Sequence, residues 1–161
     1  MGNKWIKLKL KDIATFQEGY VNPSQDKSEY FDGPVKWLRA VDLNNGFVKN
    51  TSRTLSEAGF NSAGKSAYLF EPGTLAISKS GTIGRLGILQ DYMCGNRAVI
   101  NIKVDGNKYN ILYVYYFLLL NRSYIENLAT GSVQKNLYTS ILGDVDLLLP
   151  PLEIQDKIVG N

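Results

Sequence analysis

Arg97–Val104 (RAVINIKV) alternates apolar and polar positions as a strand with a buried face does. Val35–Leu43 (VKWLRAVDL) alternates more roughly and reads as a half-buried strand. Thr74–Ser78 and Arg85–Gln90 read as the two arms of a hairpin folded about the glycine-punctuated Ser80–Gly84. Ala67–Phe70 reads as a strand before the Pro72-Gly73 turn, and Val145–Leu149 as another, stopped by Pro150-Pro151. Tyr109–Tyr124 is long and free of breakers, which selects a buried helix over a strand. Leu8–Gln17 predicts a short helix ended by Gly19, and Thr54–Gly59 a single helical turn. Leu152–Val159 begins an amphipathic helix with Leu152, Gln155, Ile158 and Val159 on its stripe. Tyr20–Gly33 and Thr130–Asn136 read as polar loops, and Asn44-Asn45-Gly46 as a turn with a left-handed preference. Strands outnumber helices and are spaced as hairpins. The pattern predicts an α+β fold: a single compact domain of mixed, largely antiparallel strands and hairpins plus a few helices.

The 161 residues fit one domain, and 44% hydrophobic against 20% charged residues is enough to bury a core. The chain has no histidine, which excludes Ser-His-Asp and Cys-His catalysis and every histidine-ligated metal site. Its one cysteine, Cys94, can form neither an internal disulfide nor a thiolate zinc site, which points to a reducing compartment, by default the cytoplasm. The first ten residues contain no apolar signal core. The longest apolar run, Ile111–Leu120, is shorter than the about 20 residues that a membrane span needs, so no membrane partner is expected.

Net charge is +3, and the whole excess lies in Met1–Ser80. Between Val35 and Arg97 the cations are Lys36, Arg39, Lys49, Arg53, Lys65, Lys79, Arg85 and Arg97, against Asp42, Glu57, Glu71 and Asp91. A nucleic-acid binder needs such a local basic face rather than a high total charge, although an ordinary mixed-charge surface has the same composition.

Three segments carry candidate chemistry. Gly59–Ser66 (GFNSAGKS) satisfies the phosphate-loop pattern G-x-x-x-x-G-K-[ST]. That motif works only between a buried parallel strand and a helix, whereas here a polar stretch precedes it and Pro72 follows closely. Ile77–Arg85 places Lys79, Ser80, Thr82 and Arg85 around two glycines, as a turn that meets phosphates or base edges would, or as a plain hairpin facing water. Thr130–Asn136 (TGSVQKN) offers Gln134, Lys135 and Asn136, where amides can pair with adenine and lysine can neutralise phosphate; a simple turn has the same composition. Of the ten tyrosines, Tyr20, Tyr30, Tyr68 and Tyr138 are surface candidates, and those near Tyr113–Tyr124 belong to the core. Neither an amine-methylation tetrapeptide nor a nuclease-type carboxylate–lysine set is present.

Taken in order, these pieces resemble the target-recognition domain of a type I restriction–modification specificity subunit. The resemblance runs through Trp5–Ala14, Gly19, Tyr30–Gly33, Val35–Leu43, Gly46, Pro72–Ser78, Ser80–Gly84, Asn96–Val99, Gly131–Leu137 and Leu149–Gln155. It implies binding of double-stranded DNA without a cofactor and without catalysis. Bond-making would fall to adenine methyltransferase and restriction subunits, which dock on long helices flanking such domains. Residues 1–150 would form the recognition domain, and 151–161 the beginning of such a helix, truncated here. Phosphate contacts would come from among Lys36, Lys65, Lys79, Arg85 and Lys135, and base readout from Ser80, Thr82, Gln134 and Arg97 or Arg39. The competing readings are a nucleotide-binding protein using Gly59–Ser66 and a protein-interaction adaptor that never touches DNA.

Overall fold

The computed structural model describes residues 4–160. Among these residues ten short strands form three sheets. The largest has five strands in the order β2 (Ala14–Glu18), β9 (Val99–Val104), β6 (Leu75–Ser78), β7 (Leu86–Leu89) and β4 (Gly46–Val48). All its pairings are antiparallel except β4 with β7. A smaller sheet sets β3 (Phe31–Leu38) between β5 (Arg53–Leu55), antiparallel, and β8 (Cys94–Gly95), parallel. The third joins β1 (Ile6–Lys9) to β10 (Asp146–Leu149), antiparallel. Helices α1 (Leu10–Ile13) and α2 (Glu57–Asn61) are short, α3 (Ile111–Leu120) is the longest, and α4 (Arg122–Asn127), α5 (Thr139–Gly143) and α6 (Leu152–Ile158) follow. This is the α+β class that the pattern predicts.

The period-two alternation of the central strands sorts side chains into two cores. Leu75, Ile77, Leu86, Ile88, Ile100 and Ile102 point toward the helices and meet Val114, Tyr115 and Leu118 of α3. Ala76, Leu89 and Val99, on the other face, meet Leu38, Leu43, Val48, Phe70 and Met93. Covering both faces explains why β6 and β7 are buried along their whole length. A third cluster gathers Val21, Phe31, Trp37, Leu55 and Cys94 around the small sheet.

Several local expectations are corrected. Leu8–Gln17 is not one helix: it is divided among the end of β1, the single turn α1 and most of β2. Its apolar residues are claimed instead by β10 and β9, far away in the chain, and local periodicity cannot register such partners. β3 starts earlier than expected, at Phe31, and ends at Leu38. The chain then closes into a 3₁₀ turn at Ala40–Asp42. Ala67–Phe70 is no strand; only Phe70 makes a bridge, to Met93. The expected helix Tyr109–Tyr124 is interrupted at Asn121, whose side chain donates back to the Phe117 carbonyl. The helical turn expected at Thr54–Gly59 forms slightly later, as α2.

The phosphate-loop look-alike lacks the required frame. β5 before it is antiparallel to β3, Gly59 lies inside α2 against the Tyr30 carbonyl, and Gly64–Ser66 is a 3₁₀ turn leading into extended chain. No helix opens at Lys65 to direct N–H groups at a phosphate.

Candidate nucleic-acid interface

The strand directions collect many polar residues at one end of the molecule. β2, β6, β3 and β8 end there, and β7 and β9 begin there. Gly19 makes the junction tight. A Cβ at this position would lie 2.0 Å from the Asn96 carbonyl oxygen, so only glycine lets the chain after β2 run against the turn after β8. Backbone bonds from Gly19 to Val99 (3.0 Å), Val21 to Gly95 (3.0 Å) and Asn96 to Leu38 (3.0 Å) fix the arrangement.

Lys79 sits at the centre. Its N–H donates to Ala98 (2.8 Å) and its carbonyl accepts from Leu137 (2.8 Å). The two turns singled out in the sequence therefore touch, with Ser80 bridged to Asn136. The Lys79 ammonium donates to Glu18, whose other oxygen accepts from the Tyr20 hydroxyl at 2.9 Å, and it lies 6.0 Å from the Tyr138 ring centroid. The Lys79 hydrogen bond holds the Glu18 carboxyl below its ordinary pKa against the opposing effect of burial. The Tyr20 hydroxyl is pushed up, chiefly because it donates to Glu18.

Arg85 donates through Nε to the Leu43 carbonyl at 2.9 Å and through Nη2 to Val41 at 3.4 Å. Arg97 is exposed, its backbone held by Asn22 Oδ1 at 3.0 Å. Arg39 lies over Trp37, 5.3 Å from the ring centroid, and donates to Ser52 Oγ at 2.7 Å. Thr82, Gln134 and Lys135 are exposed on the paired turns. Among the described residues, Arg39, Arg85, Arg97 and Lys135 have no carboxylate within 4.0 Å.

Not every residue chosen from the sequence belongs to this end. Lys36 turns the other way, to Asp91 (2.6 Å) and the Lys49 carbonyl (2.7 Å), beyond the opposite end of β7 from Arg85. Lys65 is exposed on the 3₁₀ turn after α2. Sequence reasoning missed Glu18, Asn22 and Asn96. Glu18 lies 61 residues from Lys79, and no spacing signals their meeting. Among the described residues no group of three His, Cys, Asp or Glu side chains could hold a metal, and no helix is long and apolar enough to cross a membrane.

The family model of the type I restriction modification DNA specificity domain matches residues 2–160. The chain belongs to that family. The MjaIX type I restriction enzyme specificity subunit of Methanocaldococcus jannaschii is 27% identical over 158 residues, which are 96% of this chain and 36% of that protein. The putative MjaX specificity subunit of the same organism is 31% identical over 84 residues, 52% of this chain and 20% of that protein. Among solved structures, the HsdS subunit of Thermoanaerobacter tengcongensis superposes with a TM-score of 0.70 at 17% identity, over 96% of this chain and 35% of that one. A chain from a study of complex assembly and conformational transition of the type I R-M system gives 0.75 at 17% identity, over 96% and 36%. These likenesses show that the specificity domain has the fold of a part, about a third, of each of those chains. It spans about a third of the length of the MjaIX subunit (36%).

Proposed function

We propose that this specificity domain binds double-stranded DNA and reads its sequence as the non-catalytic recognition module of a type I restriction–modification system. On this reading residues 1–150 make up the recognition domain, and the segment 151–161, which contains α6 (Leu152–Ile158), supplies helical surface for partner subunits. Adenine methylation and cleavage are performed by the methyltransferase and restriction subunits that it directs.

The observation that carries the reading is the placement of Arg39, Arg85 and Arg97, none paired with a carboxylate among the described residues, at the same end of the strands as two joined turns rich in hydroxyls and amides. Unpaired guanidinium groups suit phosphate oxygens and the O6/N7 edge of guanine. Ser80, Thr82 and Gln134 offer donors and acceptors for base edges, and Lys135 a further charge. Lys79 holds the turns together, its charge balanced by Glu18. Lys65, exposed on the turn after α2, is left for a flank of the footprint, whereas Lys36, paired with Asp91 at the other end of β7, takes no part in it.

The test is fluorescence anisotropy of the purified chain with labelled duplexes, titrated from low to high salt. Affinity should fall by about 0.9 log units per log unit of salt for each phosphate neutralised. Arg39→Ala, Arg85→Ala and Arg97→Ala together should flatten that slope while the circular dichroism spectrum stays native. Salt-insensitive binding, or a triple variant binding like the parent, would refute the reading. Mapping adenine methylation in the host genome would then reveal the recognised sequence.

A further inference from the structure

Arg53 was not among the residues chosen from the sequence, yet its surroundings are unusual. Its guanidinium carbon lies 4.1 Å from the Phe31 ring centroid and 6.0 Å from that of Trp37. The two rings are 5.9 Å apart, tilted by 58°, and both are buried. The Trp37 indole is anchored by its Nε1–H to the Val21 carbonyl at 2.8 Å, so the platform under the guanidinium is fixed. Arg39 lies over the same indole, so two cations share one aromatic support.

Neither cation is neutralised. No carboxylate among the described residues approaches either guanidinium within 4.0 Å. The nearby Asp42 carboxylate is occupied by backbone N–H groups, from Arg39 at 2.9 Å and Ser52 at 2.8 Å. The protein acceptors are few: Gln25 Oε1 for Arg53 Nη1 at 3.0 Å and Ser52 Oγ for Arg39 Nη2 at 2.7 Å. Arg39 Nε is shielded from water and has no partner at all. A guanidinium carries five N–H donors, so most of those on this pair lack a protein acceptor. Two unneutralised cations pre-positioned on rigid rings cost energy that a bound anion would recover. Trp37 faces Arg53 across the β3–β5 pairing, near the end of β3, so the pair lies at the same end as the turns around Lys79.

We infer that Arg53, beside Arg39 on the Trp37–Phe31 platform, is a dedicated anchor for a backbone phosphate of the duplex. This extends the interface from the turns onto the edge of the small sheet. The inference rests on the DNA-binding reading and adds a contact to it. Being a phosphate contact, it fixes orientation and carries no sequence preference.

The experiment compares the parent chain with Arg53→Ala, Arg53→Gln and Arg53→Lys, using two duplexes of unrelated sequence and following affinity against salt. Thermal melting selects the variants that keep a cooperative fold. Ala and Gln should each lower the steepness of the salt dependence by about 0.9, equally on both duplexes. Lys keeps the charge but loses the fork and the stack, so it should weaken binding and retain the parent's slope. An unchanged slope in a folded Ala or Gln variant overturns the anchor. A slope lost in the Lys variant as well overturns it too, because the change would then come from packing rather than charge. If the parent itself shows no salt-dependent binding, the DNA reading fails first, which is a separate and distinguishable result.

Discussion

The composition of the turns raises the expectation of a phosphate ligand at Lys79, whereas its three-dimensional neighbours give it a structural task. One residue joins the start of β9, the second turn and, through Glu18, the end of β2. The ion pair is largely sheltered, with 15% of the lysine side chain and 26% of the glutamate exposed. Because the folded Glu18 pKa lies below its ordinary value of 4.5, the unfolded chain binds this proton more readily than the folded one. The resulting stability is present above the ordinary carboxylate range and drains away as pH falls through the folded pKa. Glu18→Gln should therefore be less stable than the parent at neutral pH and should lose less of its stability on acidification. Urea midpoints measured from pH 7 down to pH 3 check this; parallel curves for parent and variant would show that the pair does not couple to folding. At this scale the sequence was partly legible. It named Lys79, Ser80, Arg85, Gln134 and Lys135 because glycine-rich polar turns announce themselves. It could not name Glu18, which is an ordinary strand residue until its partner arrives from a distant strand.

Among the elements, those whose partners are close in sequence were the readable ones. The β6–β7 hairpin and β9 emerged from alternation and glycine placement alone. β1 and β2 did not, since what makes them strands is β10 and β9. The long apolar helix was legible from its length but not its end, which depends on the Asn121 side chain. Its beginning is better defined: Asn110 Oδ1 accepts from the N–H groups of Leu112 (2.9 Å) and Tyr113 (3.2 Å). The same Asn110 donates to Asp156 at 2.7 Å, and its N–H reaches the buried Gln155 Oε1 at 2.9 Å. Gln155 in turn donates to the Pro150 carbonyl at 2.8 Å. One asparagine thus caps α3 and ties it to α6. Asn110→Ala should cost about 1 kcal/mol for the cap alone, with more from the lost link to α6. Equilibrium unfolding in urea measures it, and a cost near zero would mean that water replaces both roles. The stripe assigned to the last helix placed Gln155 with the apolar residues, and it is indeed buried, although as a hydrogen-bonding staple.

For the molecule as a whole, the three clusters share strands, and Cys94 reports on their joint integrity. It sits in β8, fully buried, and desolvation pushes its thiol up to about 12 from an ordinary 9.0. Thiolate is therefore scarce in the folded chain at any working pH, and a thiol reagent at pH 8 should label Cys94 only through opening of the domain. Labelling should accelerate in step with unfolding across a urea series; rapid labelling of the native protein would show that the small sheet opens independently. The pairing of β1 with β10 has a different bearing. Trp5 and Val159 line the same groove, so the polypeptide comes in and goes out at adjacent points. Ends so close together would let such a unit be inserted into a longer polypeptide while barely lengthening the path of the host chain.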